Sequence, residues 1–148
     1  MRPALLLLSV ASVLSACQST PIPDINHSYV QALADADQAA LGTAIAGYVA
    51  EVWPAARTTL LLVPPASAEA SNPFTQSLTT GLLNSGFGVT DSNSAPSGGA
   101  HRLQYWVTTL DGEVLVRLKL DQRLAARVYA KDVAGHLVAQ SPVTMSAK

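Results

Sequence analysis

The last third of the sequence constrains the fold most, because apolar and polar residues alternate there over three successive runs. The apolar members are Leu103, Tyr105 and Val107, then Val114, Val116, Leu118 and Leu120, then Leu124, Ala126 and Val128. Successive side chains of a β-strand point to opposite faces, so each run predicts a strand with one buried face. Asp111-Gly112 lies between the first two runs and favours a tight hairpin turn. The three runs therefore predict an antiparallel meander.

A βαβ unit is predicted before the meander. Residues 57–63 are rich in Thr, Leu and Val, which is typical of a buried strand at the centre of a sheet. Asn72 and Pro73 favour the start of a helix, and Gly86 favours its end. Residues 87–90 then predict a short strand. Since a helix connects the two strands, we expect them to be parallel.

Another helix is predicted within residues 29–53. Its apolar residues fall on one face: Leu41, Ile45, Tyr48 and Val52. Two capping patterns compete for its first turn, one beginning at Ser28 and the other at Asp35. Gly42 and Gly47 each weaken a helix, and we expect them to permit a close approach of this helix to the sheet.

The predicted elements follow the order αβαβ and then three or four strands. The last strand is expected within residues 136–145. Pro142 places it at an edge of the sheet, because proline has no amide hydrogen to donate to a neighbouring strand. Two helices and a sheet in this order pack as two layers. We therefore expect an α+β domain with a mixed sheet and both helices on one face.

The N-terminus has the layout of a secretory signal peptide. Arg2 is followed by the apolar run Ala4–Val13 and then by Leu14-Ser15-Ala16-Cys17. This quartet resembles the lipobox of bacterial lipoprotein precursors, and it contains the single cysteine of the chain. The resemblance implies cleavage before Cys17, a diacylglycerol on its thiol and an acyl group on the new amino terminus. An ordinary secretory signal with a chance cysteine is the alternative, whereas the run is too short for a transmembrane helix.

These features divide the chain into a lipoprotein signal peptide at residues 1–16, a lipidated tether at residues 17–30 and a single α+β periplasmic domain at residues 31–148. In lipoproteins of this type, an aspartate after the cysteine favours retention in the inner membrane, and this chain has Gln18. The resemblance therefore implies an outer-membrane protein that is anchored by lipid on the periplasmic side. Apart from the covalent lipid, we expect no cofactor.

The charge of the chain gives no reason to expect nucleic-acid binding. The formal net charge is −1, whereas nucleic-acid-binding domains are typically basic. The distribution is uneven, since seven Lys and Arg residues and only four Asp and Glu residues follow position 100. The meander is therefore locally basic.

The alternation in the meander predicts which of these charges share a face. If the apolar residues of the three runs face the helices, the opposite face carries basic and aromatic side chains: Arg102, Trp106, Arg117, Lys119, Arg123, Arg127, Tyr129 and Lys131. One interpretation is a solvated surface, on which long side-chain stems cover apolar area. The other is a partner-binding face for an acidic protein, with Trp106 and Arg127 as anchors because Trp and Arg are enriched in hot spots. The residues proposed for this face are Trp106, Arg117, Lys119, Arg123 and Arg127.

Four motifs in this order resemble the TrbH family of conjugal transfer lipoproteins: WPAART at residues 53–58, NPF at 72–74, GFGV at 86–89 and LQYWV at 103–107. The likeness covers the chain from Gln31 to about Tyr129. It implies a part in mating-pair formation, in a type IV secretion system that carries DNA and protein across the envelope. Other envelope proteins of that system are the implied partners. The resemblance implies no catalytic residues.

The residues themselves show no arrangement for catalysis or metal binding. Cys17 is assigned to lipid, and His27, His101 and His136 lack the spacing of a metal site. We therefore expect neither an enzyme nor a metalloprotein and no direct binding of nucleic acid, and the residues identify no small-molecule substrate. Two functional classes remain. One is a structural or assembly lipoprotein of a secretion complex, and the alternative is an envelope lipoprotein that binds a small ligand or cell-wall polymer or serves another envelope transport system.

Overall fold

The computed structural model describes residues 26–66, 72–91 and 98–146. The helices are α1 (Asp35–Val52) and α2 (Pro73–Asn84), and a 3₁₀ turn spans Ala55–Arg57. The strands are β1 (Tyr29–Val30), β2 (Thr59–Leu62), β3 (Gly88–Asp91), β4 (His101–Leu110), β5 (Glu113–Leu120), β6 (Arg123–Lys131), β7 (Leu137–Ala139) and β8 (Thr144–Ser146). The helices and the strands β2 to β6 lie where the sequence predicts them, within one or two residues at most ends.

The strands form one mixed, open sheet with the order β3-β2-β4-β5-β6-β7. Strand β2 is parallel to both of its neighbours, whereas β4 to β7 are antiparallel to one another. Strand β1 also pairs with β4, and β8 also pairs with β6. The parallel pair of the βαβ unit and the meander are therefore confirmed, and β2 is an interior strand that lies next to the edge strand β3 rather than at the centre. The fold belongs to the predicted α+β class.

Helix α2 begins and ends where the sequence predicts. The Asn72 side chain accepts hydrogen bonds from the amides of Phe74 (2.9 Å) and Thr75 (3.3 Å). It thereby satisfies two of the amides that the first turn of a helix leaves unpaired. Gly86 follows the helix with a φ of +89°, a left-handed conformation that glycine adopts without strain. Helix α1 has no side-chain cap, so neither of its two predicted capping patterns forms.

One core lies between the helices and the sheet. The helices contribute Leu41, Ile45, Val49, Phe74, Leu78 and Leu82, and the sheet contributes Leu60, Leu103, Tyr105, Val107, Val116 and Leu120. None of these residues is more than 2% exposed. The Tyr105 hydroxyl lies 2.7 Å from the Thr75 hydroxyl, and its ring lies 5.4 Å from the Phe74 ring. Tyr105 therefore joins α2 to β4, and burial raises its pKa to about 12.

A close backbone approach occurs between the two helices rather than between α1 and the sheet. A Cβ atom on Gly42 would lie 2.9 Å from the carbonyl carbon of Ser77, and one on Gly81 would lie 3.0 Å from the carbonyl oxygen of Gly42. A Cβ atom on Gly47 would meet no atom of the described chain within 4 Å. The predicted glycine contact with the sheet is therefore wrong. Gly42 instead lets α1 and α2 pack with their backbones in contact.

The end of the predicted tether is part of the sheet. Strand β1 pairs with the middle of β4. Ser28, just before β1, is 3% exposed, and its hydroxyl donates to the carbonyl of Val63 and accepts from the amide of Tyr105 (3.1 Å). This side chain satisfies backbone groups at the point where β2 ends and β1 begins. The folded domain therefore includes residues 28–30, which the sequence assigned to the predicted tether.

The last predicted strand is divided into two. Strands β7 and β8 both pair antiparallel with β6, and Pro142 lies between them. Because proline donates no backbone hydrogen bond, the pairing is interrupted there. The divided strand lies at an edge of the sheet, as the sequence predicts.

Candidate partner-binding face

The face of the sheet opposite the helices contains three of the predicted partner-binding residues. Strand register places Trp106 opposite Arg117, and Lys119 opposite Gln104. We call this side of strands β1, β2, β4, β5 and β6 the open face. It consists of Tyr29, Leu61, Arg102, Gln104, Trp106, Thr108, Glu113, Leu115, Arg117, Lys119, Leu124, Ala126 and Val128. The buried side chains of both described helices contact the other side.

Trp106 and Arg117 lie side by side at the centre of the open face, and both are partly buried. The indole nitrogen of Trp106 and Nε of Arg117 are buried and have no hydrogen-bond partner among the described residues. A buried donor without an acceptor costs about 1–3 kcal/mol. Because both atoms are closed to solvent, an acceptor from another molecule would reach them only if the two side chains move.

The centre of the open face is basic. It carries the cations Arg102, Arg117 and Lys119, and Glu113 at the start of β5 is its one acidic residue in the described strands. Arg102 donates to the carbonyl of Asn26 at 3.3 Å. Within the described part of the chain, neither Arg117 nor Lys119 forms an ion pair. No carboxylate of the described residues therefore neutralises these two cations.

Arg123 and Arg127 lie on the helix side of the sheet, so the prediction that all five residues share a face is wrong for these two. The register pairs Arg123 with Leu120 and Arg127 with Val116, and both partners belong to the core. Arg127 Nε donates to the carbonyl of Ser141, between β7 and β8, at 2.9 Å. The sequence-based assignment is shifted by one residue along β6, and such a shift reverses every side chain of a strand.

Tyr129 and Lys131 follow the same alternation and are also on the helix side. Tyr129 is 6% exposed, and burial raises the pKa of its hydroxyl. The guanidinium carbon of Arg127 lies 5.7 Å from the centre of its ring. Lys131 Nζ lies 3.0 Å from a carboxylate oxygen of Asp37, near the start of α1. Arg127 and Lys131 therefore make their contacts on the helix side, and the open face has a smaller basic area than predicted.

Sequence reasoning missed a contact between His101 and Asp121. Nδ1 of His101 lies 2.7 Å from one carboxylate oxygen, and the other oxygen accepts from the amide of Arg102 at 2.7 Å. The imidazole also stacks on Trp53, with 4.5 Å between the ring centres. The pair holds the start of β4 against the β5–β6 turn. The described residues contain no group of three or more His, Cys, Asp or Glu side chains that would hold a metal ion.

The lipobox residues Leu14, Ser15 and Ala16 and the lipid attachment site Cys17 lie outside the described residues. The signal peptide and the lipid therefore stay predictions from the sequence. Between residues 26 and 146, the described segments include no helix that is long and apolar enough to cross a membrane.

The described elements define a two-layer α+β domain with both described helices on one side of the sheet. Among known families, the chain matches the one described as conjugal transfer protein TrbH over residues 19–148. The chain therefore belongs to the TrbH family, as its motifs predict, and it is a conjugal transfer protein. No curated protein and no solved structure matches it.

Proposed function

We propose that this protein is a lipid-anchored structural component of a conjugal type IV secretion apparatus, held at the periplasmic side of the outer membrane. In this proposal the domain acts by binding other envelope proteins and catalyses no reaction. The observation that carries the proposal is the family match, which begins at residue 19, two residues after Cys17. The match therefore starts just after the lipobox-like quartet and does not include it.

The length of the chain between lipid and domain supports this arrangement. Nine residue steps separate Cys17 from Asn26, the first described residue. Even a fully extended chain covers only about 3.3–3.6 Å per residue, so this segment spans at most about 30 Å. A lipid on Cys17 would therefore hold the domain close to the membrane surface. Two or more acyl chains anchor a protein stably, whereas one alone binds only marginally.

Metabolic labelling tests the anchor. Cells that carry the complete transfer system are grown with radioactive palmitate, and the protein is isolated from wild type and from Cys17→Ser. We expect label only in the wild type, which should sediment with outer membranes, and a lower frequency of conjugal transfer for the variant.

A matched control moves the thiol without removing it. Cys17→Ser combined with Ser19→Cys keeps one cysteine near the same place but separates it from the quartet, so we expect no label. Equal labelling of wild type and Cys17→Ser would contradict the lipid anchor. Unchanged sedimentation of Cys17→Ser with outer membranes would show that the lipid is not what holds the protein there.

A further inference from the structure

We propose that the open face binds an acidic segment of a partner protein, with Arg117 and Lys119 pairing with its carboxylates and Trp106 as the central anchor. This inference rests on the proposed function, since it names the chemistry of the protein contact. It differs from the sequence-based prediction because Arg123 and Arg127 belong to the other side of the sheet. The candidate site is therefore confined to strands β4 and β5 and their borders.

The charges of the open face favour an acidic partner segment. The two cations lie on one strand, two residues apart and therefore on the same face. Neither has a carboxylate within the described chain. An arginine guanidinium pairs with a carboxylate through two parallel hydrogen bonds. A partner with two or more closely spaced acidic residues fits this arrangement, whereas a basic partner would be repelled.

The unpaired polar atoms at the centre of the open face are donors, so a partner whose binding moves these side chains would have to supply acceptors. Both buried polar atoms without a partner there, Trp106 Nε1 and Arg117 Nε, carry hydrogens to donate. Carboxylate and backbone carbonyl oxygens of a bound polypeptide are acceptors. The apolar surface beside them, from Leu61, Leu115 and Val128, suits the side chains that flank acidic residues in a protein segment. Trp and Arg at the centre of a patch are the residue types enriched in hot spots.

The same surface suits a nucleic acid less well. Binding to a phosphate backbone requires several Lys and Arg residues along the path of the strand. On β5, Glu113 lies four residues before Arg117 on the same face and ends the basic stretch at that side. This acid would repel a polyanion that continued past the centre, but it leaves room for a short acidic peptide. We therefore assign the open face to a protein segment.

Site-specific photo-crosslinking tests this assignment. Benzoylphenylalanine replaces Leu115 on the open face or, as a matched control, Leu83 on α2, which is 53% exposed on the helix side. Both variants are expressed in cells that carry the complete transfer system. Mass spectrometry of irradiated samples then identifies the crosslinked peptide. We expect a protein crosslink at position 115 and not at position 83, and a peptide with net negative charge.

Charge reversal is a second test of the same proposal. Arg117→Glu with Lys119→Glu should lower the crosslink yield and conjugal transfer at least about ten-fold, which corresponds to loss of at least one strong charge pair. Arg123→Glu reverses a charge on the neighbouring strand but on the other side of the sheet, and we expect less than about a two-fold change. Thermal melting checks that each variant folds. If the double reversal is less stable, Arg117→Gln with Lys119→Gln removes the charge without adding a new one.

Four results would overturn the inference: a crosslink to nucleic acid, a crosslink to a second copy of this chain, a neutral or basic crosslinked peptide, or normal crosslinking and transfer after charge removal in a folded protein. None of these would affect the palmitate label on Cys17. Conversely, loss of that label would contradict the anchor and leave the crosslink intact. The two proposals therefore fail separately.

Discussion

The crossing of the two helices makes a sharp prediction, because one helix carries two glycines in opposite surroundings. Gly42→Ala places a methyl group 2.9 Å from the carbonyl carbon of Ser77 and 3.0 Å from the amide nitrogen of Leu78. Both atoms belong to the backbone of α2, so no side-chain rotation relieves the contact. Gly47→Ala, five residues later on α1, places the same group in open space.

The expected change in the free energy of unfolding follows from two opposing effects. Alanine is more favourable than glycine inside a helix by about 1 kcal/mol, and both substitutions gain this. Overpacking against a rigid neighbour costs about 1–3 kcal/mol, and only Gly42→Ala incurs this. We therefore expect Gly47→Ala to raise the free energy of unfolding by up to about 1 kcal/mol. Gly42→Ala should be less stable than Gly47→Ala by about 1–3 kcal/mol, because the helix gain cancels in the comparison.

Urea titration followed by circular dichroism measures both values, on a Cys17→Ser background that has no thiol to acylate. The matched pair has the same change of side chain in the same helix, so composition and propensity are controlled. Equal changes in the free energy of unfolding at the two positions would refute the close crossing. A gain in stability for Gly42→Ala as large as that for Gly47→Ala would mean that the helices separate without cost.

Two further predictions concern the core. Leu82 is fully buried on α2, so Leu82→Ala should lower the free energy of unfolding by about 2–5 kcal/mol. Leu83→Ala, at the exposed neighbour, should change it by no more than about 0.5 kcal/mol in the same titration. Burial raises the Tyr105 pKa to about 12 in the folded state, against an ordinary value of 10.0. Above pH 10 the hydroxyl therefore ionises more easily in the unfolded chain than in the folded one. The free energy of unfolding should fall by about 3 kcal/mol as the pH rises from 10 through 12. Tyr105→Phe should lower the free energy of unfolding by about 1 kcal/mol at neutral pH, because the hydrogen bond to Thr75 is lost. Between pH 10 and 12 the variant should lose less stability than the wild type, since it has no hydroxyl to ionise at this position. Equal losses of stability in the two proteins over this pH range would contradict the prediction.

Helix α2 shows what the sequence predicts well. Its cap at Asn72, its first-turn Pro73 and its end at Gly86 depend on residues within a few positions of one another. Such interactions are local, so the order of residue types is enough to locate them. The Asp111-Gly112 turn is another local case, since both residues adopt the positive φ that this dipeptide favours.

Strand β6 shows why the sequence assigns Arg123, Arg127, Tyr129 and Lys131 to the wrong face of the sheet. Apolar residues occupy both alternations of this strand, so the pattern of Leu124 and Val128 competes with that of Ala125 and Tyr129. The signal that decides between them is the length of the preceding turn. Two residues connect β5 and β6, and the residues that flank a two-residue hairpin lie opposite each other on one face. Since Leu120 points to the core, its partner on β6 points the same way.

Strand β1 and the His101–Asp121 pair depend on contacts between distant parts of the chain. Ser28 is 77 residues from Tyr105, to which it is hydrogen bonded. His101 is 20 residues from Asp121. Neither contact leaves a periodic or compositional pattern in its own segment. Such interactions become visible only when the register of the sheet is known.

The position of β1 determines where mechanical force would enter this domain. Tension on the residues before Asn26 would reach the fold along β1, which lies parallel to β4 and pairs near its middle. A pull along the axis of a paired strand loads its hydrogen bonds together, in shear, instead of opening them one at a time. The bonds of Ser28 to Val63 and Tyr105 lie on the same path. A domain tethered through this strand would therefore receive load first at the centre of its sheet, on β4.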